Sequence, residues 1–416
     1  MPVRLTRLIA LASTLALTGT LAACTATPSP APTEPTSAAA ADAVFADRMA
    51  AALLQWRGSP STGPLAFTIP GTAIAASLGD GAVVATASGE GDPGVALDPA
   101  ATFHIGSMTK LFTAALVMQL DEEGTLSLDD TIDRWFPAAP GGDQITVRML
   151  LQHESGLAEL DFSSVGRVTP QELIDQVFTQ PPVFAPGTEY EYLNAGYIML
   201  GRLAELAAET PYEQLVRERF IETLGLTSTS LDGVGTGHSA VNGFKLVCAS
   251  GEGADCLKQF GTIEPQDPSP QWPGAWSAGS MVSSAADQAV WIRAHVGGDV
   301  IDAEHLAEML RITENSSEFY AATYAASGVP EVQLGEGAGL ATWAVPGVGT
   351  CHGHAGAIPG SNGIAAYCPD SELAIVVLNS IEPSGLTPGY PGLTSLAGGV
   401  LGALKDQKRR ITGDVL

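Results

Sequence analysis

Phe103-His104-Ile105-Gly106-Ser107-Met108-Thr109-Lys110-Leu111-Phe112-Thr113 sets a serine at the mouth of a long apolar stretch, with a lysine one helical turn behind it. From Ser107 to Glu123, Leu111, Phe112, Ala114, Ala115, Leu116, Val117, Met118 and Leu120 leave almost no polar side, so the spacing predicts a helix buried all round. Lys110 then lies inside. Burial disfavours the ammonium form, so a lysine held there rests partly neutral and can accept a proton. Residues i and i+3 share a helix face, which puts Lys110 within reach of the Ser107 hydroxyl, as a base must be to a weak nucleophile. Ser107 also stands at the positive end of the helix, where a developing oxyanion is stabilised. An N-capping serine followed by a lysine that reaches out to solvent has the same spacing, and the rest of the chain decides between the two.

The chain begins with Arg4 and Arg7, an apolar run from Leu8 to Leu17, and then Leu21-Ala22-Ala23-Cys24. A basic start, a short apolar core and small residues before the cut describe an export signal over residues 1–23. The ending resembles the lipobox of bacterial lipoproteins, which implies lipidation at Cys24 and a protein tethered on the extracytoplasmic face of the cell membrane. Residues 24–41 are rich in Pro, Thr and Ala and cannot build a core, so they read as an extended tether.

Five cysteines less Cys24 leave four, in two close pairs, Cys248 with Cys256 and Cys351 with Cys368. An oxidising compartment would let both close as disulfides. Cys351-His352-Gly353-His354 matches no zinc spacing, and no metal or cofactor is expected. The formal charge is −26; cleavage of the signal removes two arginines, leaving 17 basic against 45 acidic residues, or −28. Nucleic acid is an unsuitable partner for such a surface, and so is electrostatic docking on anionic lipid.

Ala43 to Trp56 has helical spacing, with Phe45, Met49, Leu53 and Trp56 on one side. Thr72–Leu78 and Ala82–Ser88 read as strands joined by Gly79-Asp80-Gly81. Helices are expected over Val147–His153, Pro170–Phe178, Ala195–Glu209, Pro211–Leu224, Ser283–Val296 and Ala303–Leu310, with a Gly- and Pro-rich loop region at 232–275. Strands return at Gly339–Ala344, Gly353–Ala357, Gly363–Cys368 and Ala374–Asn379, before a last helix from about Gly392 to Lys405. Two early and four late strands suggest one antiparallel sheet closed by both chain ends. The expectation is an α/β domain over 42–410, its sheet portion formed by 42–104 and 332–410 and its mostly helical portion by 105–331. If the hairpin turns at Ile358-Pro359-Gly360-Ser361, facing residues have numbers that sum to 719, which sets Cys351 opposite Cys368.

Three further pieces accompany Ser107 and Lys110: Tyr192-Leu193-Asn194 just before a helix, His354-Ala355-Gly356 on a late strand, and the segment Ile145–Leu157, which ends in Gln152-His153-Glu154-Ser155-Gly156-Leu157. In this order Ser107-x-x-Lys110, Tyr192-x-Asn194 and His354-x-Gly356 resemble the serine β-lactamase and DD-peptidase group. The likeness is to the branch holding class C β-lactamases, one-domain D-alanyl-D-alanine carboxypeptidases and related esterases. It runs from about residue 65 to 400, and Pro186-Gly187-Thr188 and Ala278-Gly279-Ser280-Met281 look like the same family.

The resemblance implies a β-lactamase/transpeptidase-like fold and Ser107 as acylating nucleophile, with Lys110 and Tyr192 sharing proton transfer. The positive lysine would acidify the Tyr192 phenol. Asn194 would bond the substrate amide or Lys110, His354 and Gly356 belong to the third motif, and the N–H groups of Ser107 and Ala357 would form an oxyanion hole. His104, His153 and His352 read as structural. Relatives that cleave a terminal D-alanine or bind penicillins grip a carboxylate with hydroxyls around the third motif, often helped by an arginine. Here those positions are Ala355 and Ala357, and no Arg or Lys occurs between Arg311 and Lys405, although Lys245 or Lys258 could supply a charge. The expected activity is that of a membrane-anchored serine hydrolase of D-alanyl-D-alanine carboxypeptidase type on cell-wall peptides. An esterase or class C-type β-lactamase is the alternative within the family, and an acylatable β-lactam or peptidoglycan sensor the alternative outside enzymes.

Overall fold

The computed structural model of the chain describes residues 69–160, 169–231, 240–247, 262–265, 275–327, 333–345 and 348–382, with residues 43, 46–51 and 53–54 ahead of them. Cys24, Cys248, Cys256, Lys258 and the expected last helix lie outside the described residues, as do Phe45 and Trp56.

Eight strands form the main sheet: β1 (Gly71–Leu78), β2 (Val84–Asp92), β3 (Val95–Ala96), β4 (Gln333–Glu336), β5 (Ala341–Val345), β6 (Gly349–Ile358), β7 (Ser361–Cys368) and β8 (Leu373–Asn379). Their order is β3-β2-β1-β8-β7-β6-β5-β4, antiparallel throughout. β1 therefore pairs with β8, and both ends of the chain close one sheet as expected. Two edge strands add to the six read from the sequence. β3 has two residues, and β4 is built on Gln333-Leu334-Gly335-Glu336, too short and glycine-interrupted to show alternation.

The centre of the sheet is apolar on both faces, because its strands are near-continuous apolar runs in which successive side chains point opposite ways. Ala73, Ala75, Ala374, Val376 and Leu378 face the larger core, while Ile74, Ala76, Ile375 and Val377 face a second one with Met49 and Leu53 of the early helix. The hairpin of β6 and β7 has the register His352↔Tyr367 through Ile358↔Ser361, and a disulfide joins Cys351 to Cys368, the pair set opposite by that register.

Helix α1 (Thr109–Glu122) runs through the larger core, buried along nearly its whole length. It begins two residues later than expected, since Gly106–Met108 is a 3-10 turn. Helix α2 (Asn194–Ala208) packs on α1, and helix α3 (Ala285–Gly297) lies across β1, β7 and β8. Phe112 of α1 stacks on Trp291 of α3 at 3.9 Å, which ties the helical part to the layer on the sheet.

Several expectations are corrected. The predicted helix over 283–296 starts at Ala285, because Met281–Ser284 is a strand between Thr102–His104 and Ser230–Leu231. Within 232–275, Phe244–Val247 and Thr262–Pro265 are strands that form a small sheet with Ile381–Glu382. The portion 105–331 is thus less purely helical than its sequence suggests. A further helix, Glu314–Ser327, adds to those expected. The helix at 147 stops at Leu151, where the backbone turns toward a left-handed His153.

Candidate active site

The strand Thr102–His104 delivers the chain to Ile105, whose N–H bonds Met281, and then to Gly106 in the left-handed region at φ 53°. That conformation favours glycine and turns Ser107 onto the mouth of α1. β6 comes up against this bend at backbone distance. A Cβ on Gly356 would stand 2.0 Å from Ile105 O and 3.1 Å from Ser107 N, and one on Gly106 would stand 2.8 Å from Ala357 N. Two glycines therefore let the N–H-bearing backbones of Ser107 and Ala357 meet, the geometry in which paired donors can hold an oxyanion.

Lys110 is fully buried. Its Nζ lies 3.2 Å from Ser107 Oγ, 2.7 Å from Asn194 Oδ1 and 2.8 Å from Ala278 O. The last two can only accept. A neutral amine has two hydrogens and one lone pair; the hydrogens go to Asn194 and Ala278, so the lone pair is left for the Ser107 hydroxyl. Burial lowers the Lys110 pKa to about 7 against the opposing charges of Glu159 and Glu336, so this neutral form is populated near neutrality. Lys110 and Ser107 lie within the reach expected of them, and the Ala278 carbonyl adds a partner the sequence did not indicate.

Asn194 is the first residue of α2 rather than part of the loop before it. Its amide cannot flip, because Glu159 accepts from Asn194 Nδ2 at 3.0 Å and from the backbone N–H groups of Asn194 and Ala195. A carboxylate at the positive end of a helix is well placed, and here it also orients Oδ1 toward Lys110. Nothing in the sequence around Glu159 announces this role.

Tyr192 overturns one expectation. Its phenol is not acidified: burial pushes its pKa well above the ordinary value and the negative charge of Glu336 pushes it further, while the neighbouring Ser107 hydroxyl pulls the other way. Lys110 Nζ sits over the ring, 4.8 Å from its centroid. Tyr192 is thus held neutral and able to donate a proton, while Lys110 is placed to accept one.

Behind Tyr192 lies a buried carboxylate that no sequence motif marks. Glu336, at the end of β4, accepts from His354 Nε2 at 3.2 Å, Tyr190 Oη at 2.9 Å and Tyr320 Oη at 3.2 Å, with His153 Nε2 3.6 Å away. Burial opposes its charge, but the His153 and His354 imidazoles override burial and hold the carboxyl well below the usual range. His354 faces this cluster, buried, and its Nδ1 contacts the Ala355 carbonyl. His153, read as structural, stacks on the Tyr192 ring at 4.5 Å. His352 bonds Thr342 Oγ1 at 3.0 Å, away from this cluster. The alternation of β6 points Ala355 and Ala357 the other way, exposed, and neither offers a hydroxyl. Lys245 stands in cross-strand register with Glu264.

Among the described residues, Glu122, Asp302 and His305 are the group close enough together to share a metal ion. Glu122 ends α1, twelve residues from Lys110 or roughly 18 Å along the helix, so this group is separate from the serine.

A family model described as Beta-lactamase matches residues 41–388. The penicillin-binding protein PbpX of Bacillus subtilis is 24% identical over 287 residues, 68% of this chain and 63% of PbpX, so this chain spans less than two thirds of that relative. Penicillin-binding protein 4 of Amycolatopsis lactamdurans is 28% identical over 334 residues, 75% of this chain and 81% of its own length. Among solved structures, D-amino acid amidase from Ochrobactrum anthropi SV3 superposes with a TM-score of 0.67 at 24% identity, covering 88% of this chain and 99% of the amidase. These matches agree with the β-lactamase/transpeptidase-like fold expected from the sequence.

Proposed function

The chain belongs to the beta-lactamase family of serine hydrolases, and from that premise we propose that it hydrolyses an amide or ester through an acyl-Ser107 intermediate. The observation that carries this reading is Lys110 Nζ 3.2 Å from Ser107 Oγ, with its two other partners, Asn194 Oδ1 and Ala278 O, able only to accept. Ser107 Oγ attacks the substrate carbonyl and its proton passes to Lys110 Nζ. The oxyanion forms between the N–H groups of Ser107 and Ala357. On collapse, the carbonyl–leaving-group bond breaks and the departing amine or alcohol takes a proton from the Tyr192 phenol, which is restored from Lys110. Water then attacks the ester on Ser107, assisted by the same groups in reverse.

The exposed methyls of Ala355 and Ala357 favour substrates without a carboxylate beside the scissile bond. A D-alanyl-D-alanine carboxypeptidase acting on cell-wall peptides is the second reading, favoured by the relatives named as penicillin-binding proteins. Mass spectrometry after exposure to a fluorescent penicillin, an ester reporter and a D-alanyl-D-alanine peptide separates these readings. Ester turnover through a Ser107 adduct without D-alanine release supports the first; D-alanine release supports the second; an adduct that never clears marks a sensor. A Ser107→Ala protein with full turnover sinks all three.

The sequence Leu21-Ala22-Ala23-Cys24 supports attachment to the outer face of the cell membrane through a lipid on Cys24. Labelled fatty acid should enter the wild-type chain and be absent from a Cys24→Ala chain, which should be found in the medium.

A further inference from the structure

We propose that Glu336 is a positioning residue of the acyl-transfer machinery, acting on Tyr192 through the ring of His153 and on Lys110 as a buried negative charge. This rests on Ser107 and Lys110 being the acylating pair, and it adds a part that none of the three sequence motifs contains.

The geometry is a relay of fixed contacts. Glu336 is held from behind by the Glu314–Ser327 helix, where Ser316 Oγ accepts its N–H at 2.8 Å and Tyr320 donates to its carboxylate. Tyr190 donates to the same oxygen as Tyr320. The other oxygen faces the two imidazoles, His354 at 3.2 Å and His153 at 3.6 Å. His153 Nδ1 accepts the backbone N–H of Leu193 at 2.9 Å, so its ring proton sits on Nε2, the nitrogen turned to Glu336. Leu193 lies between Tyr192 and Asn194, so one ring fixes the peptide that connects both residues of the second motif and also stacks on the Tyr192 ring.

His153 occupies a left-handed backbone at φ 60°, a position where glycine is the easy choice after a helix. A histidine held there against its own preference is the pattern expected where the side chain is needed. Lys110 is faced by Glu159 and Glu336, by His153, by the rings of Tyr192 and Tyr197, and by Ser107, Asn194 and Ala278. Of these, only Glu159 and Glu336 are negative, and both raise its pKa against burial.

The test is Glu336→Gln in the full chain, read as the pH profile of kcat/KM. The plateau should fall about a hundredfold from misplacement of Tyr192, and the acid limb should move to lower pH as Lys110 loses a neighbouring negative charge. Thermal melts of variant and wild type run in parallel control for folding. A variant that folds like the wild type and keeps both plateau and limb overturns the proposal, because a purely structural role would leave the limb where it was. Should Glu336→Gln fail to fold, nuclear magnetic resonance of isotope-labelled wild type decides. His153 protonated on Nε2 alone across the activity range supports the relay, and a proton on Nδ1 overturns it. Turnover by Ser107→Ala would instead remove the acyl-serine reading, while the tautomer of His153 would still decide the contact with Glu336.

Discussion

Lys110 Nζ lies 2.7 Å from Asn194 Oδ1, a contact between residues 84 positions apart that uses one of the two hydrogens a neutral lysine has. Because Ala278 O takes the other, the protonation state of Lys110 decides whether Ser107 can be deprotonated. With the Lys110 pKa lowered to about 7, the base is protonated below that pH and free above it. The kcat/KM profile should therefore rise with unit slope to about pH 7 and then level. Lys110→Ala should cost on the order of 10² to 10⁴ in kcat. A limb at the ordinary lysine pKa would contradict the buried-base account.

Glu159→Gln probes the lock on Asn194. The variant puts an amide group among four donors, so at least one backbone or side-chain N–H loses its acceptor. Stability should fall by about 1–3 kcal/mol in denaturant titration. Loss of the negative charge should also move the acid limb of kcat/KM to lower pH, since Glu159 raises the Lys110 pKa. An unchanged limb would mean that Glu159 acts on the helix end alone.

Gly356→Ala tests the contact between β6 and the serine bend. The new methyl would stand 2.0 Å from Ile105 O and 3.1 Å from Ser107 N, so backbone must move, and moving β6 back from the bend separates Ala357 from Ser107. Acylation of Ser107 should slow by at least about a hundredfold, with a smaller effect on substrate affinity. Stopped-flow labelling of Ser107 would measure it. Wild-type acylation would show that the paired N–H groups are not used.

The difference between what the chain announces and what it conceals follows from range. Ser107 and Lys110 are legible because one helical turn joins them, and Tyr192, Asn194, His354 and Gly356 because each sits in a tripeptide of fixed spacing. The β6–β7 register is legible because two cysteines and a Pro-Gly turn agree on one sum. Glu336 has no such local mark. Leu334-Gly335-Glu336-Gly337 looks like a solvated loop, and its tyrosine partners lie 16 and 146 positions away. His153 stays hidden because its left-handed backbone and its stack on Tyr192 exist only in three dimensions. The Tyr192 phenol departs from expectation because burial, and a carboxylate that the sequence does not reveal, both raise its pKa.

His295 offers a stability test remote from the motifs. It is fully buried in α3 against Trp291, both ring nitrogens lack partners among the described residues, and burial lowers its pKa to about 3. The unfolded chain takes up a proton near pH 6.5 while the folded one does not. Stability is therefore lost as pH falls from about 6.5 toward 3 and is unaffected above that window. His295→Leu removes this penalty, so its stability relative to wild type should improve by about 2 kcal/mol on going from about pH 8 to about pH 5. A constant difference between the two proteins across that range would show that the ring finds a partner on protonation.

On the proposed reading, substrate choice turns on two methyl groups. Ala355 and Ala357 are exposed on the same side of β6, two residues apart, while His354 points to the buried side. Threonines there would place two hydroxyls next to the Ser107–Ala357 pair without disturbing the backbone, because the β6–β7 ladder and the disulfide fix the strand independently of these side chains. A hydrogen bond to a charged group is worth about 1.5–3 kcal/mol, so each hydroxyl should raise kcat/KM roughly tenfold or more for a substrate bearing a carboxylate. The same changes should leave a neutral ester nearly unaffected. Comparing Ala355→Thr, Ala357→Thr and the double variant on a penicillin and on an ester gives the answer as a ratio, which cancels any general loss of activity. If the ratio stays at the wild-type value, the alanines do not set the preference, and the carboxylate reading of this cleft has to be abandoned.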